Sequence, residues 1–180
     1  MTALIIADDE LVWHNLPNIK ADLLIACGDL PDDVIQRAAA MCRCQHILAV
    51  KGNHDSTADF PAPIVNLHRQ TLAFRGLTFG GFGGAWKYKP KGNHLFEQSE
   101  VEAALKDFPR VDVFIAHNSP RFVHDRDDEV HNGFVAFAKY IDDHQPAFFL
   151  HGHQHIKQES LVGATRVIGT YGFHWLAIPE

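Results

Sequence analysis

Five short apolar runs in this chain each end in residues able to hold a metal ion. Residues 3–7 (ALIIA) lead into Asp8-Asp9-Glu10, and residues 22–27 (DLLIAC) into Gly28-Asp29-Leu30-Pro31-Asp32. Residues 46–50 (HILAV) lead into Gly52-Asn53-His54-Asp55. Residues 111–116 (VDVFIA) lead into His117-Asn118, and residues 147–150 (AFFL) into His151-Gly152-His153-Gln154-His155. Loops at the carboxyl ends of strands build the sites of α/β sheets, so ligands far apart in sequence can converge there. A Gly ahead of a ligand lets the backbone turn sharply and approach an ion. The chain has 13 His, as many as Gly. A His-rich surface is the plain explanation; those that follow apolar runs point instead to a metal site.

The elements that must position these residues can be read from the same pattern. Four- to six-residue apolar runs without alternation are strands buried on both faces, as in parallel sheets covered by helices. Helical patterns lie between them. Residues 32–44 place Val34, Ala38 and Met41 on one stripe. Residues 99–108 open on Ser99 as cap, with a Glu at the third helical position, a capping box. Residues 133–144 turn Phe134, Phe137, Ala138 and Ile141 inward. Further strands are expected at 64–67, 71–74 and 77–80, then a hairpin and a last strand at 158–162, 166–170 and 173–178. Strand–helix alternation argues α/β. The closely spaced middle strands argue for a mixed two-sheet β-sandwich with helices outside, not one doubly wound sheet.

Composition bounds the function. With 180 residues, one domain spanning 1–180 is expected. Hydrophobic residues at 46% and charged residues at 21% exclude a disordered or collagen-like chain. A net charge of −6 speaks against a nucleic acid polymer as partner, because phosphate backbones are held by Lys and Arg. The first apolar run is short and ends in acids, so it reads as a strand and not a signal peptide. No stretch approaches the roughly 20 apolar residues of a membrane span. Cys27, Cys42 and Cys44 are odd in number and fit reduced thiols in a cytoplasmic protein.

The ordered set Asp-x-Glu, Gly-Asp-x-x-Asp, Gly-Asn-His-Asp, a lone His after a strand, then Gly-His-x-His resembles the calcineurin-like metallophosphoesterase superfamily. The resemblance runs from about residue 3 to 173. Each motif alone is weak; at this composition the three Gly-containing motifs occur in order by chance about once in 30,000 sequences. The resemblance implies a dinuclear site for two divalent metal ions. Asp8, Asp29 and His155 would hold one ion, and Asp29, Asn53, His117 and His153 the other, with Asp29 bridging. It implies attack on phosphorus by a hydroxide between the metals. His54 would donate a proton or hydrogen bond to the leaving group or phosphate, and Asp32 would hold its other ring nitrogen. Asp32 also fits a plain helix N-cap, and His54 a structural histidine.

Two departures stand out. The first motif of the superfamily normally ends in His, where Glu10 stands here. Glu10 ligates, or His14 swings in, or that site is weak. Three carboxylates and one imidazole would favour Mn²⁺ or iron over Zn²⁺. Relatives that act as protein phosphatases carry Arg after the last Asp of the second motif, where Asp33 stands. Arg121, Lys87, Lys89 and Lys91 are candidate phosphate-binding cations, and solvated surface charge explains each singly. Trp86, Tyr88 and Phe82 can stack on an aromatic leaving group or simply pack. His151 reads as a support for its neighbours. His46, His68, His94, His124, His131, His144 and His174 read as structural or surface.

The expected function is therefore hydrolysis of a small phosphomonoester or phosphodiester. The rival from another class is a non-catalytic metal-binding or protein-interaction scaffold on the same fold. A nuclease is weakened by the charge and the lack of a basic stripe. Six of the seven ligands the superfamily uses are present, together with His54, which favours the enzyme.

Overall fold

The structure, a computed structural model, describes residues 1–179. In chain order the elements begin with β1 (Thr2–Ala7), β2 (Leu23–Ala26), α1 (Asp32–Met41), β3 (Ile47–Ala49) and β4 (Ile64–Asn66). The middle holds β5 (Thr71–Phe74), β6 (Leu77–Phe82), β7 (Ala85–Trp86), β8 (Leu95–Phe96), α2 (Gln98–Leu105) and β9 (Val113–Ala116). The chain continues through α3 (Val135–His144), β10 (Phe148–His151), β11 (Gln158–Val162), β12 (Thr165–Gly169) and β13 (Gly172–Ala177). One sheet runs β13-β1-β2-β3-β4, and a second runs β11-β12-β10-β9-β6-β5. In the first, β1 to β4 are parallel and β13 is antiparallel to β1. In the second, β6, β9, β10 and β12 are parallel, with β5 and β11 antiparallel at the edges.

The two-residue period of each strand sorts its side chains into layers. Ala3, Ile5 and Ala7 of β1, Leu23 and Ile25 of β2, and Val113 and Ile115 of β9 fill the core between the sheets. Leu4, Ile6, Leu24 and Ala26 face outward onto Val34, Ile35 and Ala38 of α1. Phe114 and Phe149 face the other way, onto Phe137 and Tyr140 of α3 and Val101 of α2. The central strands lie between a sheet and a helix, which is why their sequences do not alternate. The arrangement is the mixed two-sheet sandwich flanked by helices that the strand spacing predicts.

Element ends shift from the expectation. The first helix stops at Met41, and Met41 is exposed. Its buried face is Val34, Ile35, Ala38 and Ala39, after which Cys42 turns inward. At α2 the cap is Glu97 and not Ser99: the Glu97 N–H donates to the Glu100 carboxylate (2.7 Å). α3 starts at Val135, and Ala138 is only partly buried while Ala136 and Tyr140 are covered. β6 extends to Phe82, so Phe82 is core packing against Phe134 and Phe137. The last strand leaves the β11–β12 hairpin and crosses to pair with β1 in the other sheet.

Candidate metal centre

The parallel strands β1, β2, β3, β9 and β10 present their carboxyl ends along one edge of the sandwich. Asp8 follows β1, Asp29 follows β2, Asn53 follows β3, His117 follows β9, and His153 and His155 follow β10. Main-chain bonds hold these loops together: Asp8 N to Gly28 O (3.3 Å) within one sheet and Gly152 N to His117 O (3.0 Å) within the other. Four of the six residues have left-handed backbones: Asp8 (φ 61°), Asp29 (φ 54°), His153 (φ 63°) and His155 (φ 51°). Such strain on non-glycine residues is typical of sites that the surrounding structure over-determines. Glycine is required beside them. A Cβ on Gly52 would collide with Asp29 Oδ1, and one on Gly152 would lie 2.6 Å from Asp8 Oδ2.

Asp29, His117 and His153 offer ligand atoms that lie within 4.8 Å of one another. His117 is fully buried, and its Nδ1–H donates to Cys27 O (2.8 Å). That bond turns the His117 Nε2 toward Asn53 Oδ1 (3.1 Å) and Asp29 Oδ2 (3.4 Å). With Nδ1 carrying the hydrogen, three lone-pair-bearing atoms converge, and a proton or a cation must lie among them. His153 Nε2 donates to Val130 O (3.2 Å), which leaves Nδ1 with its lone pair. Asp8 Oδ2 accepts from the His153 N–H (2.8 Å), while Asp8 Oδ1 is buried with no hydrogen-bond partner. The nearest ring nitrogen to that oxygen is His155 Nε2, at 3.8 Å. A buried carboxylate oxygen without a donor is costly. The ligand atoms of Asp29, His117 and His153, with Asn53 Oδ1 beside them, are close enough to share one cation, whereas His155 stands 3.8 Å from Asp8 with 57% of its side chain exposed.

Electrostatics agree. Burial pushes the Asp8 carboxyl up to about 7. Burial alone would lower His117, but the Asp29 and Asp8 carboxylates outweigh it and raise the imidazole to about 9. Burial likewise opposes ionisation of Asp29, yet His117 and the His54 N–H hold its carboxyl below the usual range. Burial, with His117 nearby, lowers His153 to about 3, so its ring is neutral at pH 7.

The remaining expected residues fall differently. Glu10 is exposed and lines a groove of about 320 Å³ with Asp29, Asp32, Lys51 and His54, outside the close triplet. His14 packs its ring against Trp13, at a tilt of 30°. His54 binds Asp29 Oδ1 through its main-chain N–H (2.8 Å) and exposes its side chain at the groove. The pairing of Asp32 with His54 is not found among the described residues; Asp32 Oδ1 accepts from Lys51 Nζ (3.0 Å). Nor is Asp32 the N-cap of α1, a position taken by Pro31. Arg121 is bound by Asp125 and Asp127, and Lys87 by Glu97, while Lys89 lies over the Tyr88 ring. His151 is fully buried between Gly152 O and His124, and supports the loop that carries His153.

Two functional residues carried no role in the sequence reading. Asp55 accepts three main-chain hydrogens, from Asp29 (2.9 Å), Leu30 (3.0 Å) and Gly52 (2.7 Å). It locks the loop after β2 to the loop after β3, and so sets where Asp29 stands. Its signal was its place at the end of Gly52-Asn53-His54-Asp55. Asp128 holds the main chain of Val130 (2.9 Å) and His131 (2.7 Å), which aims Val130 O at His153. No local motif announces it.

A family model described as calcineurin-like phosphoesterase matches residues 6–157 of the chain. No curated protein matches the sequence. Among solved structures, TT1561 of Thermus thermophilus is similar with a TM-score of 0.62 at 16% identity, covering 94% of this chain and 88% of that one. Phosphopantetheinyl hydrolase from Mycobacterium tuberculosis is similar with a TM-score of 0.60 at 14% identity, covering 94% and 89%. Vps29 from Entamoeba histolytica, complexed with Zn²⁺, is similar with a TM-score of 0.53 at 13% identity, covering 95% and 74%. At these identities the likeness is one of fold.

Proposed function

Because the chain belongs to the calcineurin-like phosphoesterase family, we propose that it is a metal-dependent hydrolase acting on a small phosphomonoester or phosphodiester. The observation that carries this reading is the close triplet of Asp29, His117 and His153, with a buried Asp8 oxygen nearby that no protein donor satisfies. Two divalent ions held there would supply positive charge to the phosphoryl oxygens and acidify a water at neutral pH. The chain's own residues do the rest. Asp29 spans both halves of the centre. Cys27 O and Val130 O fix the tautomers of His117 and His153. His54, exposed beside Asp29, donates to the leaving oxygen. No helix among the described residues is long and apolar enough to cross a membrane. The free thiols of Cys27, Cys42 and Cys44 are the ground on which we place the protein, as one domain, in the cytoplasm.

Elemental analysis of purified protein, paired with hydrolysis of aryl phosphomonoesters and diesters with added Mn²⁺, tests the proposal. Metal binding with turnover supports it. Metal binding without turnover of any phosphoester supports a scaffold on the same fold, a reading favoured by the exposed Glu10 at the position of the superfamily's His.

His54→Ala is expected to leave the metals bound and to slow turnover by roughly 10²-fold, the usual scale for a positioned acid. The loss should shrink for substrates with good leaving groups, which need less protonation. Equal losses for good and poor leaving groups would reassign His54 to phosphate binding.

Glu10→His is expected to restore an imidazole to the Asp8 side of the centre. The substitution also takes one negative charge from the groove beside Asp29, which leaves an ion there more Lewis acidity. The acidic limb of the pH–rate profile should move to lower pH, and affinity should shift toward Zn²⁺ relative to Mn²⁺. An unchanged limb and unchanged metal preference would mean that position 10 stays at the groove mouth and does not ligate.

A further inference from the structure

The groove that opens beside Asp29 and His54 holds a buried charge outside the metal centre, that of Lys51. Lys51 is buried, with 7% of its side chain exposed, and its Nζ lies 3.0 Å from Asp32 Oδ1 and 3.8 Å from the Phe60 ring centroid. Among the described residues Asp32 is the one acceptor bonded to that ammonium. An ammonium carries three N–H donors, so two are left without an acceptor in the protein. Burying such a group is expensive, and a buried ion pair is a weak source of stability compared with apolar packing. The start of α1 is already anchored by Val34, Ile35, Ala38 and Ala39. Lys51 lines the same groove as Asp29 and His54. A volume of about 320 Å³ takes a short chain ending in an oxyanion, since one liquid water occupies roughly 30 Å³.

We propose that this groove is the leaving-group subsite, and that Lys51 makes it selective for a leaving group bearing an oxyanion, a carboxylate or a second phosphate. The inference rests on the phosphoesterase reading and deepens it. The phosphoryl group sits at the metal centre, His54 stands at the scissile oxygen, and the chain beyond it runs toward Lys51. Asp32 and Phe60 hold the ammonium in place from two sides, which lowers the entropic cost of using it. A charge-assisted hydrogen bond made there separates anionic from neutral leaving groups, because a neutral one leaves the two remaining N–H donors of the ammonium without an acceptor.

Non-hydrolysable probes test the subsite without depending on turnover. Propylphosphonate, 3-phosphonopropionate and propane-1,3-bisphosphonate share a phosphonate and differ at the far end: methyl, carboxylate or phosphonate. Calorimetry on the Mn²⁺-loaded protein is expected to show the two anionic probes binding at least about tenfold tighter than propylphosphonate. The tighter of the two identifies the oxyanion. Lys51→Met should abolish the preference while leaving metal content and propylphosphonate affinity unchanged. Asp32→Asn removes the competing carboxylate and should enlarge the preference, which keeps the test informative if Lys51→Met does not fold. Equal affinity of the wild-type protein for all three probes overturns the subsite alone. A preference that survives in Lys51→Met also overturns it. Failure of all three to bind overturns the phosphoesterase reading with it.

Discussion

Asp29→Asn is expected to cost at least one of the two metals and to lower turnover by roughly 10³-fold or more, because the Lewis acidity of a bound ion contributes several kcal/mol to barrier lowering. The substitution is nearly isosteric, and Asn tolerates the left-handed backbone (φ 54°) that Asp29 adopts. The Oδ1 of the new amide can still accept from the His54 N–H, as Asp29 Oδ1 does at 2.8 Å. The amide nitrogen then stands where Asp29 Oδ2 now faces His117 Nε2 at 3.4 Å. It has no lone pair to offer an ion, and it carries no charge. Asp55 cannot take over, since its oxygens accept from three main-chain donors, and Asp29 is the carboxylate that faces His117 Nε2. A melting temperature equal to that of the metal-free wild-type protein, with depleted metal and lost turnover, is the expected outcome. Two metals per chain and a near-normal rate in this variant would end the dinuclear reading.

The sequence carried the parts of this site that obey local rules. Continuous apolar strands announced parallel sheets, and a Gly ahead of Asp29, Asn53 and His153 announced sharp turns at three of the strands' carboxyl ends. Those signals put candidate ligands after five strands; the choice of Asp8, Asp29, Asn53, His117, His153 and His155 among them came from the resemblance to the superfamily. What escaped was set by tertiary contact. Asp32 stands in a motif position, yet Lys51, adjacent to the Gly-Asn-His-Asp turn, captures it. Asp55 carried no role in the sequence reading; only the packing of two loops shows that its oxygens accept from three main-chain N–H groups. Ser99 was a good cap by type, but the chain direction at β8 hands that position to Glu97. Met41 matched the helical stripe and still faces solvent, because α1 ends there and Cys42 covers the sheet instead. Helix ends and side-chain pairings depend on neighbours that no local window contains.

Metal affinity is expected to rise steeply with pH, because a proton occupies the place the cation takes. In the metal-free protein His117 titrates near 9 against an ordinary 6.5, since Asp29 and Asp8 overcome the effect of its burial. Its Nδ1 is bonded to Cys27 O, so the extra proton lies on Nε2, between Asn53 Oδ1 and Asp29 Oδ2. Asp8, pushed up by burial to about 7, is half protonated at neutral pH. His153, lowered by burial to about 3, has no proton to lose. Binding at pH 7 should therefore release about one proton from His117 and about half a proton from Asp8, and release should fall toward zero above pH 9. Between pH 7 and 9 the His117 proton alone makes Mn²⁺ affinity climb about tenfold per unit, up to roughly 100-fold. Groups whose protonation is the same in the metal-free and loaded forms, such as the Cys42–Cys44 pair remote from these ligands, cancel in the difference. The same linkage makes the rise in melting temperature on adding Mn²⁺ larger at pH 9 than at pH 6.5 at fixed free metal. Calorimetry in buffers of different ionisation enthalpy counts the protons directly. A count near zero at pH 7, with affinity flat to pH 9, would show that the cation does not displace the His117 proton and that His117 is not a ligand.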